Sequence, residues 1–182
     1  PGALSLTYAA WRTTENNLGC QLPHKDELTD TVCYSGISAD THVVIVGNID
    51  TDSQRMNATR VAWTLKYAGV KHPSILDGGF KKWLNQNYPI STDWVKRQRS
   101  NYKCQFNENV VTSKNYLASH LKDVAIIDVR SERLYKGLIS DPMLKRKGHI
   151  PGAINLPYSL VFKKDGTFED RDKLESIAVK AV

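Results

Sequence analysis

The sequence is poor in cysteine and contains no long apolar run. Its three cysteines, Cys20, Cys33 and Cys104, are far apart and follow no metal-ligand spacing. Their odd number argues against a complete disulfide framework, so we expect reduced thiols, with a Cys20–Cys33 bridge as the alternative. No apolar stretch approaches the roughly 20 residues that cross a bilayer. We therefore expect neither a fold stabilised by disulfide bonds nor a membrane partner. The sequence does not distinguish a cytoplasmic from a periplasmic location.

Features of a nucleic-acid surface are also missing, although the formal net charge is +6. The basic clusters at residues 96–99 (KRQR) and 145–147 (KRK) have no aromatic residues interleaved with them. We interpret them as solvated surface that can attract small anions. Residues 77–79 (DGG) lack the lysine of a phosphate-binding loop and are interpreted as a turn. We expect no cofactor, no metal and no nucleic-acid partner.

The composition that remains is typical of a soluble globular protein, with 41% hydrophobic and 24% charged residues. Short β-branched runs typical of buried strands alternate with patterns of helical period. Asp52 or Ser53 is expected to cap the first clear helix, and Gly69 to end it. The predicted strands lie at residues 42–46, 74–76 and 124–128, and helices follow the first two and precede the third. This order predicts an α/β fold with a parallel sheet flanked by helices.

A motif at the start of the chain returns near its end. Residues 1–6 read PGALSL and residues 151–156 read PGAINL, and each is followed by a tyrosine at the same offset. A weaker echo, DEL at 26–28 and DKL at 172–174, supports a repeat of about 150 residues, which is the size of a domain. We therefore expect a slice of a larger protein that holds the back of one domain and the front of the next.

This interpretation divides the chain into three parts. Residues 1–92 are expected to form the C-terminal part of a first domain, and residues 110–182 the N-terminal part of a second one. The polar and basic stretch at residues 93–109 is interpreted as the linker between them. Its single tryptophan, Trp94, and Phe106 are expected to pack it against the domains.

Three segments resemble the signatures of rhodanese-type sulfurtransferases. Residues 126–137 (IIDVRSERLYKG) resemble the front signature, a strand that ends in Asp-x-Arg and is followed by Tyr and Gly. Residues 147–158 (KGHIPGAINLPY) resemble the Gly-His-Ile-Pro-Gly-Ala segment of the family. Residues 59–84 resemble the back signature with its Asp-Gly-Gly and Trp. The segments occur in the order that two consecutive domains give, so the chain is similar to a slice of a tandem, multi-domain rhodanese of the thiosulfate or 3-mercaptopyruvate sulfurtransferase family.

The resemblance implies transfer of sulfane sulfur. In this family a cysteine takes sulfur from a small anionic donor such as thiosulfate, becomes a persulfide, and passes the sulfur to a thiol or to cyanide. The reactive form is the thiolate, which backbone N–H groups at a helix N-terminus stabilise. We therefore expect a small anionic sulfur donor and a thiophilic acceptor as partners.

The first domain departs from the family pattern at its reactive position. The residue directly after the strand at 42–46, where the family carries cysteine, is Gly47. The same loop contains Asp50 and Asp52, which would repel an anionic donor, so we expect the first domain to be inactive. The matching loop of the second domain is expected roughly a dozen residues beyond Val182. No residue of this chain is therefore predicted to be catalytic.

The front signature supplies two candidate donor-binding residues. Family members often carry an arginine next to the tyrosine, but Leu134 holds that place here and Arg133 is its neighbour. One step along a helix turns a side chain by about 100°, which leaves the donor's identity open. Arg130 matches the pattern better and is expected to orient the domain through a salt bridge. Asp128 fits a structural cap or a site residue equally well, and His149 is interpreted as a loop histidine with satisfied hydrogen bonds.

Two other functions stay open. The protein can be a non-catalytic rhodanese-like binding or regulatory module, since one copy has already lost its nucleophile at Gly47. A phosphatase of this fold would need a longer loop that ends in arginine, for which these residues give no support. Neither half-domain is expected to hold every strand of its sheet. We therefore count the remaining segments of the same protein among its partners.

Overall fold

The computed structural model describes residues 2–16 and 18–180, and the chain forms two compact units, Pro1–Val111 and Thr112–Val182. The first unit contains strands β1 (Thr13–Glu15), β2 (Leu18–Gln21), β3 (His42–Ile45) and β4 (His72–Ile75) and helices α1 (Lys25–Tyr34), α2 (Asp52–Tyr67) and α3 (Gly79–Asn85). The second contains β5 (Ile127–Asp128), β6 (Ile154–Asn155), α4 (Lys114–Ser119), α5 (Glu132–Tyr135) and α6 (Arg171–Lys180). Short 3₁₀ turns occupy Tyr8–Trp11, Glu108–Val110 and Tyr158–Val161. The predicted α/β class is confirmed.

The first unit is built on the parallel pair β3 and β4, which α2 connects. The register is unbroken from His42 opposite His72 to Ile45 opposite Ile75. Ile45 packs against the core whereas its neighbour Val44 is exposed, which is the alternation expected along a strand. Two parallel strands were predicted here: the one at residues 42–46 is confirmed as β3, and the one at 74–76 overlaps β4, which begins two residues earlier and ends at Ile75.

Helix α2 begins one residue earlier than its sequence indicated. The prediction that Asp52 or Ser53 caps it is wrong, because Thr51 forms a reciprocal capping box with Gln54. The Thr51 hydroxyl accepts from the Gln54 N–H at 3.3 Å, and the Gln54 side chain accepts from the Thr51 N–H at 3.1 Å. At the other end Gly69 takes a left-handed φ of 85° and closes the helix, as predicted.

The core of the first unit lies between α1, α2 and the sheet. Leu28 and Val32 from α1 and Leu65 from α2 are fully buried, and Trp11 covers them from the preceding turn. Replacing a buried leucine by alanine costs about 2–5 kcal/mol. These side chains therefore fix α1 and α2 relative to each other and to the sheet.

Residues 97–107, the strap, run back along the first unit. Several hydrogen bonds attach it, among them the Ser100 N–H to the Cys33 carbonyl at 2.9 Å, the Tyr102 hydroxyl to the Ala68 carbonyl at 3.0 Å, and the Asn107 N–H to the Tyr67 carbonyl at 2.8 Å. Phe106 packs on the core, as expected. The same expectation for Trp94 is wrong, since it is 86% exposed. The strap covers much of the predicted linker, whose outer bounds stay a prediction.

The second unit is built on the short parallel pair β5 and β6. Ile127 lies opposite Ile154, and Asp128 opposite Asn155. The predicted strand at 124–128 is thus shortened to its last two residues, because its partner enters directly from the turn at residues 151–152. Ser113 caps α4 by accepting from the Tyr116 N–H at 3.1 Å.

The three cysteines are unpaired in the structure, as expected from their spacing. Within residues 2–16 and 18–180, no helix combines the length and apolarity needed to cross a membrane.

Candidate functional site

The loop after β3 is where a reactive residue was expected in the first unit. The Gly47 carbonyl accepts from the Phe80 N–H at 3.0 Å, which fixes the loop against the start of α3. A β-carbon built on Gly47 would meet only the β-carbon of Ala58 among the described residues, at an ordinary 3.7 Å. The backbone therefore has room for a side chain such as that of cysteine at position 47. The absence of a thiol from this loop is a feature of the sequence and is not imposed by steric crowding.

Both acidic residues of this loop have cationic partners. The Asp50 carboxylate lies 2.8 Å from the Lys81 ammonium, and this hydrogen bond raises the pKa of Lys81. Asp52 forms an ion pair with Arg55, whose Nη1 also donates to the Ile49 carbonyl at 2.6 Å. The repulsion of anions expected from the two carboxylates is therefore partly offset. The positive charges of Lys81 and Arg55 are in turn taken up by these ion pairs.

In the second unit Asp128 and Arg130 form a bidentate ion pair at the end of β5. The Asp128 carboxylate accepts from the Arg130 Nε at 2.9 Å, from its Nη2, and from its backbone N–H at 3.0 Å. The Asp128 side chain is only 11% exposed. The hydrogen bond from the Arg130 side chain, as the largest cause, holds the pKa of Asp128 below its usual range, so the pair is ionised at neutral pH. The salt bridge expected of Arg130 is present.

The ion pair is tied to the neighbouring strand and loop. The Arg130 Nη2 also donates to the Gly148 carbonyl at 2.9 Å. The Asn155 side chain donates to the carbonyls of Asp128 and Arg130, each at 2.9 Å. Asn155 was missed in the sequence, because its role depends on the pairing of β5 and β6, which places it opposite Asp128. Together these bonds fix the chain that leaves β5 toward α5.

A second contact joins the front signature to the Gly-His-Ile-Pro-Gly-Ala segment. The Tyr135 and His149 rings stack with centroids 3.7 Å apart and planes 13° apart. The His149 Nδ1 lies 2.8 Å from the Tyr135 carbonyl oxygen, which can only accept, so Nδ1 carries the proton. The Tyr135 hydroxyl donates to the Ala153 carbonyl at 2.7 Å. His149 is thus the loop histidine with satisfied hydrogen bonds that its sequence context predicted.

Arg133 differs from Arg130 in having its guanidinium exposed to solvent. Within the described part of the chain it has no side-chain hydrogen bond or ion pair, whereas Glu132 and Lys136 on the same helix pair with each other at 2.5 Å. Leu134, at the position where an arginine was expected, is half-buried. Of the two predicted donor-binding residues, Arg133 is the more exposed, whereas Arg130 is already paired with Asp128.

No cluster of three or more potential metal ligands occurs within residues 2–16 and 18–180.

The sequence and fold match known proteins over nearly the whole chain. The rhodanese-like domain family matches residues 1–86 and 113–180. The chain is 29% identical to the mouse (Mus musculus) thiosulfate sulfurtransferase over 181 residues, which is 97% of this chain and 60% of that protein. It is 29% identical to the mouse 3-mercaptopyruvate sulfurtransferase over 159 residues, which is 86% of this chain and 53% of that protein.

Its fold is similar to that of SseA from Escherichia coli, with a TM-score of 0.77 and 26% identity, over 100% of this chain and 67% of the other. SseA is described as a 3-mercaptopyruvate sulfotransferase of rhodanese fold. The chain thus spans only about half to two thirds of the length of these relatives.

Proposed function

Because the chain belongs to the rhodanese-like domain family, we propose that the whole protein is a sulfurtransferase of the tandem type. It moves sulfane sulfur from thiosulfate or a similar anionic donor to a thiophilic acceptor, through a cysteine persulfide formed beyond Val182. Within this proposal residues 1–92 belong to a first, inactive domain, residues 93–109 to the linker, and residues 110–182 to the front of the active domain.

The observation that carries the proposal is the intact framework of the second unit. The pair Asp128–Arg130 and the stack Tyr135–His149 connect the two segments that resemble the family signatures. Such contacts hold a scaffold in place around a loop that performs chemistry. Relatives that align with this chain over most of its length carry the names of sulfurtransferases, which supports the same reaction class here.

The two units are assigned different roles. The loop at Gly47 contains no cysteine, and the cations that contact it, Arg55 of α2 and Lys81 of α3, are engaged by Asp52, Asp50 and the Ile49 carbonyl. We assign this unit a structural role. In the second unit the exposed Arg133 is proposed to hold the anionic end of the donor, and Arg130 to position the segment that leads into α5. A guanidinium without a carboxylate partner is suited to this task because its N–H donors match the geometry of an oxyanion.

The proposed chemistry needs no cofactor. The thiolate of the cysteine beyond Val182 attacks the outer sulfur of thiosulfate, a new S–S bond forms, and sulfite leaves with the electrons of the old one. The acceptor thiolate or cyanide then takes the outer sulfur and regenerates the cysteine.

The test uses the whole protein with thiosulfate and cyanide. We expect the intact mass to rise by one sulfur atom with thiosulfate alone, and to return to its starting value with formation of thiocyanate once cyanide is added. A control in which the cysteine beyond Val182 is replaced by serine should show neither change. If the wild-type protein gains no sulfur from thiosulfate or 3-mercaptopyruvate, sulfur transfer is refuted and the non-catalytic binding module takes its place.

A further inference from the structure

A second constellation of charged and nucleophilic groups lies in the first unit, away from the loop at Gly47. Cys20 on β2 is exposed, and its sulfur accepts a hydrogen bond from the Arg12 Nη1 at 3.8 Å. The Arg60 Nη2 of α2 donates to the Cys20 carbonyl at 2.6 Å. Tyr8, in the turn that precedes β1, lies close enough to Cys20 for the two side chains to interact electrostatically. The segment at residues 8–12 and helix α2 thus both contact Cys20, the first at its thiol and the second at its backbone carbonyl.

The two guanidinium groups bring positive charge that no carboxylate balances. Within the described residues neither Arg12 nor Arg60 forms an ion pair, and the buried Nε of each has no hydrogen-bond acceptor. Instead each guanidinium lies against an aromatic ring, Arg12 at 5.3 Å from the centroid of Tyr8 and Arg60 at 4.8 Å from that of Trp63. Two partly buried cations without anionic partners favour binding of an anion.

The Tyr8 hydroxyl adds a neutral donor at the same place. Burial, as the largest cause, and the neighbouring Cys20 raise the pKa of Tyr8, while Arg60 and Arg12 act in the opposite direction. The phenol therefore keeps its proton at neutral pH and can donate to sulfur. The constellation combines an exposed thiol, a guanidinium that donates to it, and uncompensated positive charge.

We propose that Cys20, surrounded by Arg12, Arg60 and Tyr8, is a thiol-modification site that takes small anionic disulfides. The site is separate from the proposed sulfur transfer and does not depend on it. The Cys20 thiol loses its proton to solvent, and its sulfur bonds to one sulfur of the disulfide. The disulfide's own S–S bond breaks, and its electron pair leaves on the other sulfur as a thiolate. One disulfide is exchanged for another, so no further oxidant is needed.

The experiment compares disulfide reagents that differ in charge, with the label at each cysteine measured by peptide mass mapping. The reagents are the dianionic dithiobis-nitrobenzoate, the neutral dithiodipyridine and the dicationic cystamine. Because the reagents also differ in the pKa of their leaving thiols, each rate is divided by the rate of the same reagent with a small neutral thiol. On this scale we expect Cys20 to be modified faster than Cys104, and the anionic reagent to be favoured relative to the neutral one. Arg12→Gln and Arg60→Gln should each slow the anionic reagent about fivefold, the effect of one unit charge roughly 4 Å away in water. The rate with the neutral reagent should stay within about twofold.

Three controls separate charge from damage to the fold. Arg146→Gln removes an exposed arginine of the second unit and should change neither rate. Arg12→Lys retains the charge and should keep the anionic preference. Added salt should remove the preference in the unmutated protein. Labelling of the buried Cys33 would report that a glutamine variant has unfolded. In that case the salt dependence of the unmutated protein and the rates of Arg12→Lys decide whether charge controls the reaction. Equal rates for anionic and cationic reagents, or a Cys20 that none of them modifies, would overturn the proposal.

Discussion

Replacing Asp128 by asparagine tests whether the Asp128–Arg130 pair holds the second unit together. An exposed ion pair contributes up to about 1 kcal/mol, and breaking a fully buried one costs about 3–5 kcal/mol. With the two side chains 11% and 30% exposed, this pair lies between these limits. We expect Asp128→Asn to cost about 2 kcal/mol, because the Arg130 guanidinium stays partly buried while its charged partner is lost.

The assay is amide hydrogen exchange in the strand that the pair supports. The Ile154 N–H donates to the Ile126 carbonyl at 2.8 Å, and the Leu156 N–H donates to the Asp128 carbonyl at 3.0 Å. A loss of about 2 kcal/mol should speed exchange at both amides roughly 30-fold, since each 1.4 kcal/mol is a factor of ten.

The matched control is Glu132→Gln, which breaks the exposed Glu132–Lys136 pair of the same unit. Its effect on exchange should be less than about threefold. If both variants accelerate exchange equally, or if Asp128→Asn changes it less than threefold, the reasoning about this ion pair is wrong.

Three further predictions concern pH, the strap and the donor. Because the pKa of Asp128 is lowered in the folded state, its contribution to stability is present above the unfolded-state pKa of about 3.9 and is lost as pH falls through the folded value. The exchange rate of the Ile154 amide, divided by the intrinsic rate at the same pH, should therefore rise in acid in the unmutated protein but not in Asp128→Asn. A β-carbon on Gly69 would lie 2.5 Å from the Gln105 carbonyl oxygen of the strap, so Gly69→Ala should lower the free energy of unfolding in urea by about 2–4 kcal/mol, of which about 1–2 kcal/mol comes from the left-handed backbone. Asparagine tolerates that backbone, so Gly69→Asn should be destabilised by the contact with the strap. Wild-type stability of Gly69→Asn would show that this contact is unimportant. Arg133→Gln should raise KM for thiosulfate about fivefold in the whole protein with kcat little changed, and an unchanged KM would remove Arg133 from the donor site.

The sequence predicted the regular elements well where the chain itself carries the signal. The β-branched run that forms β3 and the glycine that ends α2 are local features found where expected, whereas β4 begins two residues before its predicted start and ends one residue before its predicted end. The cap at Thr51 was missed because three adjacent residues can all accept the same N–H groups. The length of the third strand, predicted at residues 124–128, was overestimated. The length of a strand depends on how many residues pair with its neighbour, and not on the length of the apolar run in the sequence.

The candidate site was predictable only in part. The resemblance of the front signature singled out Arg130, and the structure supplies the salt bridge expected of it. Asn155 left no local signal, since only the pairing of β5 with β6 brings it to the backbone of Asp128. The spacing of the three cysteines gave no indication of a site at Cys20. Its cationic neighbours come from residues that are distant in the chain and close only in the fold.

The central claim is that sulfur is carried by the second domain, beyond Val182, and not by the unit that contains Gly47. Peptide mass mapping of the whole protein after treatment with thiosulfate tests it most directly. The account predicts an added sulfur atom on a cysteine in the segment that follows Val182, with Cys20, Cys33 and Cys104 unchanged. Sulfur found on a cysteine of the first unit, with none beyond Val182, would contradict it.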